Sequence, residues 1–269
     1  MHDLFFTMNK RFFVVAGLLW GLTGFARADL VATVAKLKPA VVIVGSFKTT
    51  ANPRFSLRGT GFVLAELGTD KGNWVVTNAH VLPGPAEEDV DAQTVVQVRS
   101  GSGPNELQMR KAVVVEVDVL HDLALLRIEG AAITGFALGD SDRAREGQAV
   151  AFMGFPIGGA LGFSTVTHRG TISSITAAAL PSASAGQLNA KSILSLRSGS
   201  FDIFQLDGTA YPGNSGGPLF DPESGEVLGV VNMVFVKGTK ESALTHPSGI
   251  SYAIPAKFIT QLMARTKTN

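Results

Sequence analysis

Apolar and polar positions alternate along most of this 269-residue chain in short runs. Between residues 41 and 128 the runs are rich in β-branched residues and are separated by Gly, Pro, Asn and Asp, a pattern that predicts strands rather than helices. The runs lie at 41–45, 61–65, 74–77, 94–98, 113–119 and 123–128. Six such strands can close one small barrel.

A second set of runs of the same kind follows in the other half of the chain. These runs lie at 149–154, 164–175, 203–206, 218–220, 227–236 and 250–254. Residues 129–148 are richer in Gly, Ala and charge, and we interpret them as the link between the halves. The sequence therefore predicts an all-β protein with two six-stranded domains, at 29–130 and 131–269, related as a structural duplication.

Short helices are predicted at both ends of this region. Asp29 is placed to cap a helix that Pro39 ends, with apolar positions at helical spacing between them. Pro255 stands where a second helix would begin, and an apolar stripe follows it. Residues 176–200 are rich in Ala and Ser, which predicts a long loop.

The N-terminal residues resemble an export signal. Lys10 and Arg11 precede an uncharged stretch at 12–25, and Ala26-Arg27-Ala28 forms an A-x-A cleavage pattern. Residues 1–28 are thus predicted to be a signal peptide, which predicts a periplasmic or secreted protein. The alternative is an uncleaved membrane anchor, although an uncharged stretch of 14 residues is shorter than the roughly 20 residues that span a bilayer.

Composition excludes several classes of function. The formal net charge is +1 and only 17% of residues are charged, which argues against nucleic-acid binding. The chain has no cysteine, hence no disulfide, and it has no H-E-x-x-H sequence. We therefore predict no metal and no cofactor, and no membrane contact once the signal is cleaved.

Three separated residues suggest nucleophilic catalysis. Ser215 lies in the glycine-rich stretch Gly-Asn-Ser-Gly-Gly-Pro, His80 follows a predicted strand, and Asp122 precedes another. A serine needs a base, and a histidine oriented by an aspartate supplies one. Each residue alone has an ordinary reading: a glycine turn, a polar turn residue and a strand cap. Their order along the chain favours Ser215 as nucleophile, His80 as base and Asp122 as the orienting group.

The glycines around the serine have a predicted role of their own. A tetrahedral intermediate needs two positioned donors at its oxyanion. We predict that the backbone N–H groups of Gly213 and Ser215 form this oxyanion hole, since glycine permits the unusual turn that aims them inward. Of the other histidines, His121 is a poor base because it adjoins Asp122, and His168 and His246 are interpreted as surface residues.

These segments resemble the chymotrypsin-fold serine proteases, and among them the HtrA/Deg family of bacterial envelope proteases. The resemblance rests on GTGF at 59–62, VVTNAHV at 75–81, DLALL at 122–126, QLD at 205–207, PGNSGGPL at 212–219 and YAIP at 252–255. It implies two Greek-key β-barrels around a central cleft. His80 and Asp122 would come from the first barrel and Ser215 from the second.

Two departures from the usual pattern of these proteases matter. Only 54 residues follow Ser215, too few for the PDZ domains that members usually carry, so we expect none here. Ile43-Val44-Gly45 looks like the new N-terminus of an activated zymogen. Asn214 stands where an aspartate would pair with the new amine, so we interpret 43–45 as an ordinary strand.

Analogy with the fold also suggests the substrate pocket. Thr209 would lie at the base of the S1 pocket, and Asn232, Met233 and Val234 would form a wall. Because no acidic group or histidine is placed there, we expect a small or medium apolar P1 residue.

The combined prediction is an exported serine endopeptidase that cleaves unfolded or damaged proteins. Its partners would be protein or peptide substrates, and family members suggest a possible homo-oligomer. In the resembling family, loops like those at 154–162 and 176–200 become ordered to complete the oxyanion hole. Two alternatives stay open: a catalytically latent binding or holdase protein of the same fold, and an acyl hydrolase of small esters.

Overall fold

Twelve strands form two closed antiparallel barrels in the computed structural model of the protein. The structure describes residues 29–67, 70–83, 91–101, 106–157, 162–178, 201–233 and 249–266. All twelve predicted strands occur, so the all-β, two-barrel prediction is confirmed. The predicted signal peptide at 1–28 lies outside the described residues.

The first barrel has the strand order β1-β2-β3-β6-β5-β4, and β1 closes it by pairing with β4. Its strands are β1 (Val41–Phe47), β2 (Phe55–Leu67), β3 (Asp70–Thr77), β4 (Gln93–Arg99), β5 (Leu107–Asp118) and β6 (Leu123–Ile128). The three sequential strands at one side and the reversed three at the other give the Greek-key connection that the resemblance implied.

The second barrel repeats this order, with β7 taking the place of β1 and β12 that of β6. Its strands are β7 (Ala149–Gly154), β8 (Val166–Ala177), β9 (Asp202–Asp207), β10 (Pro218–Phe220), β11 (Val227–Asn232) and β12 (Ile250–Pro255). β7 pairs with both β8 and β10, which closes the ring. The two halves are therefore duplicates in topology.

Several strands are longer than their apolar runs predicted, and β2 and β5 show how. β2 begins at Phe55, where polar residues alternate with apolar ones, and β5 begins at Leu107 with mostly exposed side chains. Both extensions are held by backbone pairing, to β1 and β4 respectively. Hydrophobic runs predict only the parts of a strand that face a core.

Short helices flank the barrels. Helix α1 (Leu30–Leu37) begins after Asp29, whose carboxylate accepts a hydrogen bond from the Val31 N–H at 3.3 Å. Helix α2 (Lys257–Thr266) buries Phe258, Ile259 and Leu262. The predicted start at Pro255 was wrong, because that residue still pairs with Gly229 at the end of β12. No helix in the described ranges is both long enough and apolar enough to span a bilayer.

The segment between the barrels belongs to the core. Phe136 is 1% exposed and its ring contacts those of Phe62 in β2 and Phe220 in β10, with centroids 5.7 and 5.9 Å apart. Leu64 and Val227 form single bridges to this segment from the two barrels. The connection thus packs both barrels together and fixes the cleft between them.

Candidate active site

His80 lies on a short 3-10 turn, Ala79–Val81, directly after β3. Two hydrogen bonds tie this turn to the start of β6: the Ala79 N–H and the Asn78 side-chain amide donate to the Asp122 carbonyl at 3.1 and 3.0 Å. The His80 side chain is 30% exposed. The turn therefore places an accessible imidazole beside Asp122, 42 residues later in the chain.

Asp122 is buried and accepts hydrogen bonds at both carboxylate oxygens. Its Oδ1 accepts from the His80 backbone N–H at 2.9 Å, and its Oδ2 lies 2.6 Å from His80 Nδ1. Oδ2 also accepts from the Asn232 side-chain amide at 2.8 Å. A carboxylate facing Nδ1 holds the proton there and leaves Nε2 of His80 as the free acceptor, as a general base requires.

Backbone strain accompanies this arrangement at Asp122, whose φ is +52°. Few residues other than glycine adopt this left-handed conformation, and aspartate is among those that tolerate it. It lets one residue present both its carbonyl and its carboxylate to the 78–80 segment. Such strain persists where the surroundings fix it, and it is enriched at functional sites.

Ser215 lies on the turn between β9 and β10, and it is 5% exposed. Its Oγ accepts a hydrogen bond from the Met233 N–H at 3.3 Å. Its carbonyl accepts from the Thr60 N–H in β2 at 2.8 Å, so the serine turn is attached to the first barrel. Asn232 and Met233 are neighbours, and they contact Asp122 Oδ2 and Ser215 Oγ respectively, which brings the two ends of the predicted triad together.

The predicted oxyanion donors have defined orientations. The Pro212 carbonyl accepts from the Ile157 N–H at 2.7 Å, and the Asn214 carbonyl accepts from the Gly217 N–H at 3.0 Å. Since a trans peptide points its N–H opposite to its carbonyl, the Gly213 and Ser215 N–H groups face away from those partners. Within the described part of the chain, neither N–H has an acceptor.

Gly213 can take this conformation only as a glycine. Its φ is +104°, and a Cβ atom there would collide with the Phe155 carbonyl oxygen. Any side chain would therefore displace either the turn or the loop after β7.

The predicted substrate pocket is only partly within the described residues. Thr209 is half-buried, and the Ser251 hydroxyl holds both of its neighbours, donating to the Gly208 carbonyl and accepting from the Ala210 N–H, each at 2.7 Å. Met233 is half-buried against the second barrel's core. Val234 lies outside the described residues. Asn232 is fully buried with its side chain on Asp122, so only its backbone could face a substrate.

The sequence predicted Asn232 as part of the S1 pocket wall, whereas its side chain donates to Asp122. The signal was present, because this asparagine ends the otherwise apolar run of β11 and all six residues of that strand are buried. A buried amide needs hydrogen-bond partners, and a carboxylate across the cleft is one.

His121 forms a second histidine–aspartate pair, with Asp118. Its Nδ1 lies 2.8 Å from Asp118 Oδ2, its backbone N–H donates to Oδ1 at 3.1 Å, and its ring stacks on Phe258 at 3.9 Å. Arg265 of α2 donates to Asp118 Oδ2 at 3.0 Å. Burial raises the pKa of Asp118, but the hydrogen bonds from His121 and the charges of His121 and Arg265 outweigh it and lower that pKa to about 2.

His168 is not the surface residue that the sequence suggested. It is half-buried, its ring stacks on Phe152 at 4.7 Å, and its Nε2 lies 3.5 Å from the side-chain nitrogen of Asn214. Burial lowers the pKa of His168. His246 lies outside the described residues. Among those described, no group of three or more His, Cys, Asp or Glu is placed to hold a metal ion.

Comparison with known proteins settles the family. The family model for the trypsin-like peptidase domain matches residues 59–230, which include all three predicted catalytic positions. The chain belongs to the trypsin-like peptidase family. This chain is 30% identical over 211 residues to a "Probable periplasmic serine endoprotease DegP-like" of Marinomonas sp. (strain MWYL1), and the match covers 78% of this chain and 36% of that protein.

Other relatives give the same assignment to the HtrA/Deg group. Identity is 30% over 216 residues with the mitochondrial serine protease HTRA2 of Drosophila ananassae, covering 80% of this chain and 41% of that protein. A solved structure, the HtrA-type protease AlgW with a tripeptide, is 26% identical with a TM-score of 0.60, covering 88% of this chain and 62% of that one. This chain thus spans about two fifths of the length of these curated relatives. The resemblance to the HtrA/Deg proteases is confirmed.

Proposed function

We propose that this trypsin-like peptidase is a serine endopeptidase that acts through Ser215, His80 and Asp122. The observation that carries the proposal is the convergence of the two barrels at one point. Asn232 and Met233, adjacent on the second barrel, contact Asp122 and Ser215, while Asp122 holds His80 Nδ1 at 2.6 Å. A histidine-assisted nucleophile needs this convergence and, in addition, a hydrogen bond from the Ser215 hydroxyl to His80 Nε2, which we propose forms during the reaction.

Acylation follows from these positions. As the Ser215 Oγ attacks the carbonyl carbon, its proton passes to His80 Nε2 and a C–O bond forms. The carbonyl π electrons move to the oxygen, which the N–H groups of Gly213 and Ser215 stabilise, each such donor contributing about 2.7–4 kcal/mol. The tetrahedral adduct then expels the amine, which takes the proton from His80, and an acyl-enzyme remains.

Deacylation reverses the same proton path. A water molecule gives its proton to His80 Nε2 as its oxygen attacks the acyl carbon. Collapse of the second tetrahedral adduct breaks the C–Oγ bond, and Oγ regains the proton from His80. Asp122 stays ionised throughout, stabilising the imidazolium at each stage.

The proposed substrates are unfolded or damaged proteins in the bacterial envelope. Two relatives support a peptide substrate and an envelope location: one is named a probable periplasmic DegP-like serine endoprotease, and the AlgW protease was solved with a tripeptide. The predicted signal peptide at 1–28 agrees with export. Assembly into a homo-oligomer and ordering of the loops near the site remain predictions.

Comparing the protein with its Ser215→Ala variant tests the activity. We expect casein cleavage and labelling by a fluorophosphonate probe in the original chain, with cleavage reduced about a million-fold in the variant. Circular dichroism and the melting temperature serve as controls for folding. Casein cleavage that survives in Ser215→Ala would refute the proposal, and folded protein without cleavage or labelling would favour the latent binding protein.

The proposed P1 preference is for small or medium apolar residues such as Val, Ala or Leu. Thr209 and Met233 bring no charge to the predicted pocket, and the Met233 N–H contacts the Ser215 Oγ. Mass spectrometry of peptides released from unfolded casein tests the preference. Dominant cleavage after Lys or Arg would overturn it.

A further inference from the structure

Thr60 is a fully buried threonine of β2 whose polar groups all have partners near the serine turn. Its N–H donates to the Ser215 carbonyl at 2.8 Å, and its carbonyl accepts from the Thr77 hydroxyl at 2.7 Å. Its own hydroxyl donates to the Gly213 carbonyl at 2.6 Å and accepts from the Phe155 N–H at 3.0 Å. One side chain thus connects the first barrel, the loop after β7 and the serine turn.

The Thr60 hydroxyl fixes one of the two peptide planes that flank Gly213. The plane before Gly213 is fixed by the Ile157 N–H, which donates to the Pro212 carbonyl at 2.7 Å. The plane after it is fixed by Thr60, which binds the Gly213 carbonyl. The Gly213 N–H lies in the first plane, and the φ (+104°) and ψ of Gly213 relate that plane to the second, so Ile157 sets the direction of this N–H directly and Thr60 restrains it from the other side of Gly213.

The loop after β7 is held at both contacts and is strained between them. Phe155 donates to Thr60, and Ile157 donates to Pro212. The φ of Ile157 is +60°, an outlier for a β-branched residue. Since strain of this kind relaxes when its restraints are removed, loss of the Thr60 contact would release both the loop and the Gly213 peptide.

We propose that Thr60 is a positioning residue for the oxyanion hole. Its hydroxyl holds the Gly213 carbonyl and the Phe155 N–H, so it restrains both the residue that carries the oxyanion donor and the loop whose Ile157 N–H holds the Pro212–Gly213 peptide. The proposal rests on the proposed serine endopeptidase function. Thr60 touches no reacting atom and acts through Gly213. Its effect should therefore fall on the transition state, where the oxyanion forms, rather than on the bound substrate.

Thr60→Val tests the proposal, because valine matches threonine in shape and replaces only the hydroxyl by a methyl group. Loss of an oxyanion donor costs about 10²–10³ in kcat, so partial misalignment should lower kcat about 10- to 100-fold with KM changed less than about twofold. Affinity for a peptide boronate, which forms a tetrahedral adduct, should fall in parallel. Affinity for the corresponding product peptide should not change. Thr60→Ser retains the hydroxyl and should restore kcat to within about threefold of the original.

Ser141→Ala is the matched control for a lost buried hydroxyl. Ser141 is buried and accepts from the Lys257 N–H at 2.9 Å, at the start of α2. This variant should lose some stability and keep its kcat. If Thr60→Val does not fold, Thr60→Ala carries the same expectation, since it removes the hydroxyl without adding a methyl group beside the Gly213 carbonyl.

Wild-type kcat in folded Thr60→Val, or an equal loss in Ser141→Ala, would overturn the proposal. So would a loss that appears in KM alone or that Thr60→Ser does not reverse. Including Ser215→Ala in the same assay separates failure of the proposed endopeptidase function from failure of the positioning role of Thr60. If casein cleavage does not depend on Ser215, the proposed function fails, whereas Ser215-dependent cleavage that is indifferent to Thr60 refutes only the positioning role.

Discussion

The turn between β5 and β6 has an aspartate at each end, Asp118 and Asp122, and each of them pairs with a histidine in nearly the same geometry. In each pair the carboxylate Oδ2 faces the histidine Nδ1, at 2.6 Å for Asp122 and His80 and at 2.8 Å for Asp118 and His121. In each, Oδ1 accepts from the backbone N–H of the same histidine, at 2.9 and 3.1 Å. The contact itself therefore does not distinguish a site for chemistry from a structural contact.

The two pairs differ in exposure and in the third partner of the carboxylate. The His80 side chain is 30% exposed, whereas that of His121 is 10% exposed and stacks on Phe258. Asp122 receives a neutral amide from Asn232, whereas Asp118 receives the cation of Arg265. A base needs an accessible Nε2 and a carboxylate whose charge stays available to the imidazolium. The pair on Asp122 meets both conditions, while the pair on Asp118 fastens α2 to the first barrel.

The largest expected effect comes from neutralising each aspartate in turn. Asp122→Asn should lower kcat about 10⁴-fold, because an amide stabilises the wrong tautomer of His80. Asp118→Asn should keep kcat within about threefold when assayed well below its melting temperature. Steady-state cleavage of casein measures both. Equal losses in the two variants would show that the pairs are not functionally distinct.

A smaller loss is expected from removing the third partner of Asp122. Asn232→Leu deletes a hydrogen bond to a charged group, worth about 1.5–3 kcal/mol, and should lower kcat about 10- to 100-fold. If Asn232 served only as a pocket wall, the change would appear in KM and in the P1 preference instead. The ratio of the two kinetic constants on a series of P1 peptides discriminates between these outcomes.

Stability, rather than rate, should depend on Asp118. Because the folded state lowers the pKa of Asp118 from 3.8 to about 2, its ionised form stabilises the fold above the ordinary pKa, and this contribution is lost as pH falls from 3.8 towards 2. Asp118→Asn should lower the free energy of unfolding at pH 7 by about 2 kcal/mol. Urea unfolding at pH 7, 5 and 3 should show the gap between variant and original closing at the lowest pH. A gap that is the same at all three values would contradict this assignment.

The smallest effect is expected at Arg265, the third partner of Asp118. Its side chain is 47% exposed, so water and salt screen much of its charge. Arg265→Gln should shift the melting temperature by only a few degrees, and less at 1 M salt than at 0.05 M. A shift as large as that of Asp118→Asn would mean that the cation, rather than His121, determines the state of Asp118.

Sequence patterns predicted the strands well because the spacing of apolar and polar residues is a local feature, whereas the Greek-key topology of the barrels was implied by the family resemblance. Every apolar run became a strand, and Ser215, His80 and Asp122 were predicted from residue type and chain order. The short apolar runs did not predict that β2 extends back to Phe55, because polar residues separate Phe55 and Leu57, which pack against the core while the segment pairs with β1. Nor could the pattern show that the Asn232 side chain donates to Asp122, because these two residues are 110 positions apart in the chain.

The pair formed by His121 and Asp118 also depends on a contact between distant segments that the sequence did not predict. His121 adjoins Asp122, from which we predicted that it is a poor base, but no local sequence pattern indicated that Arg265 would contact Asp118 from 147 residues away. Contacts between distant segments depend on how the barrels and helices pack, and a single sequence does not encode that packing in any local pattern.

Mapping the fluorophosphonate adduct by mass spectrometry tests the central claim most directly, with His80→Ala and His121→Asn compared under the same conditions. The account predicts an adduct on Ser215 in the original chain and in folded His121→Asn, and almost none in folded His80→Ala. An adduct on another serine, or labelling that depends on His121 and not on His80, would contradict it.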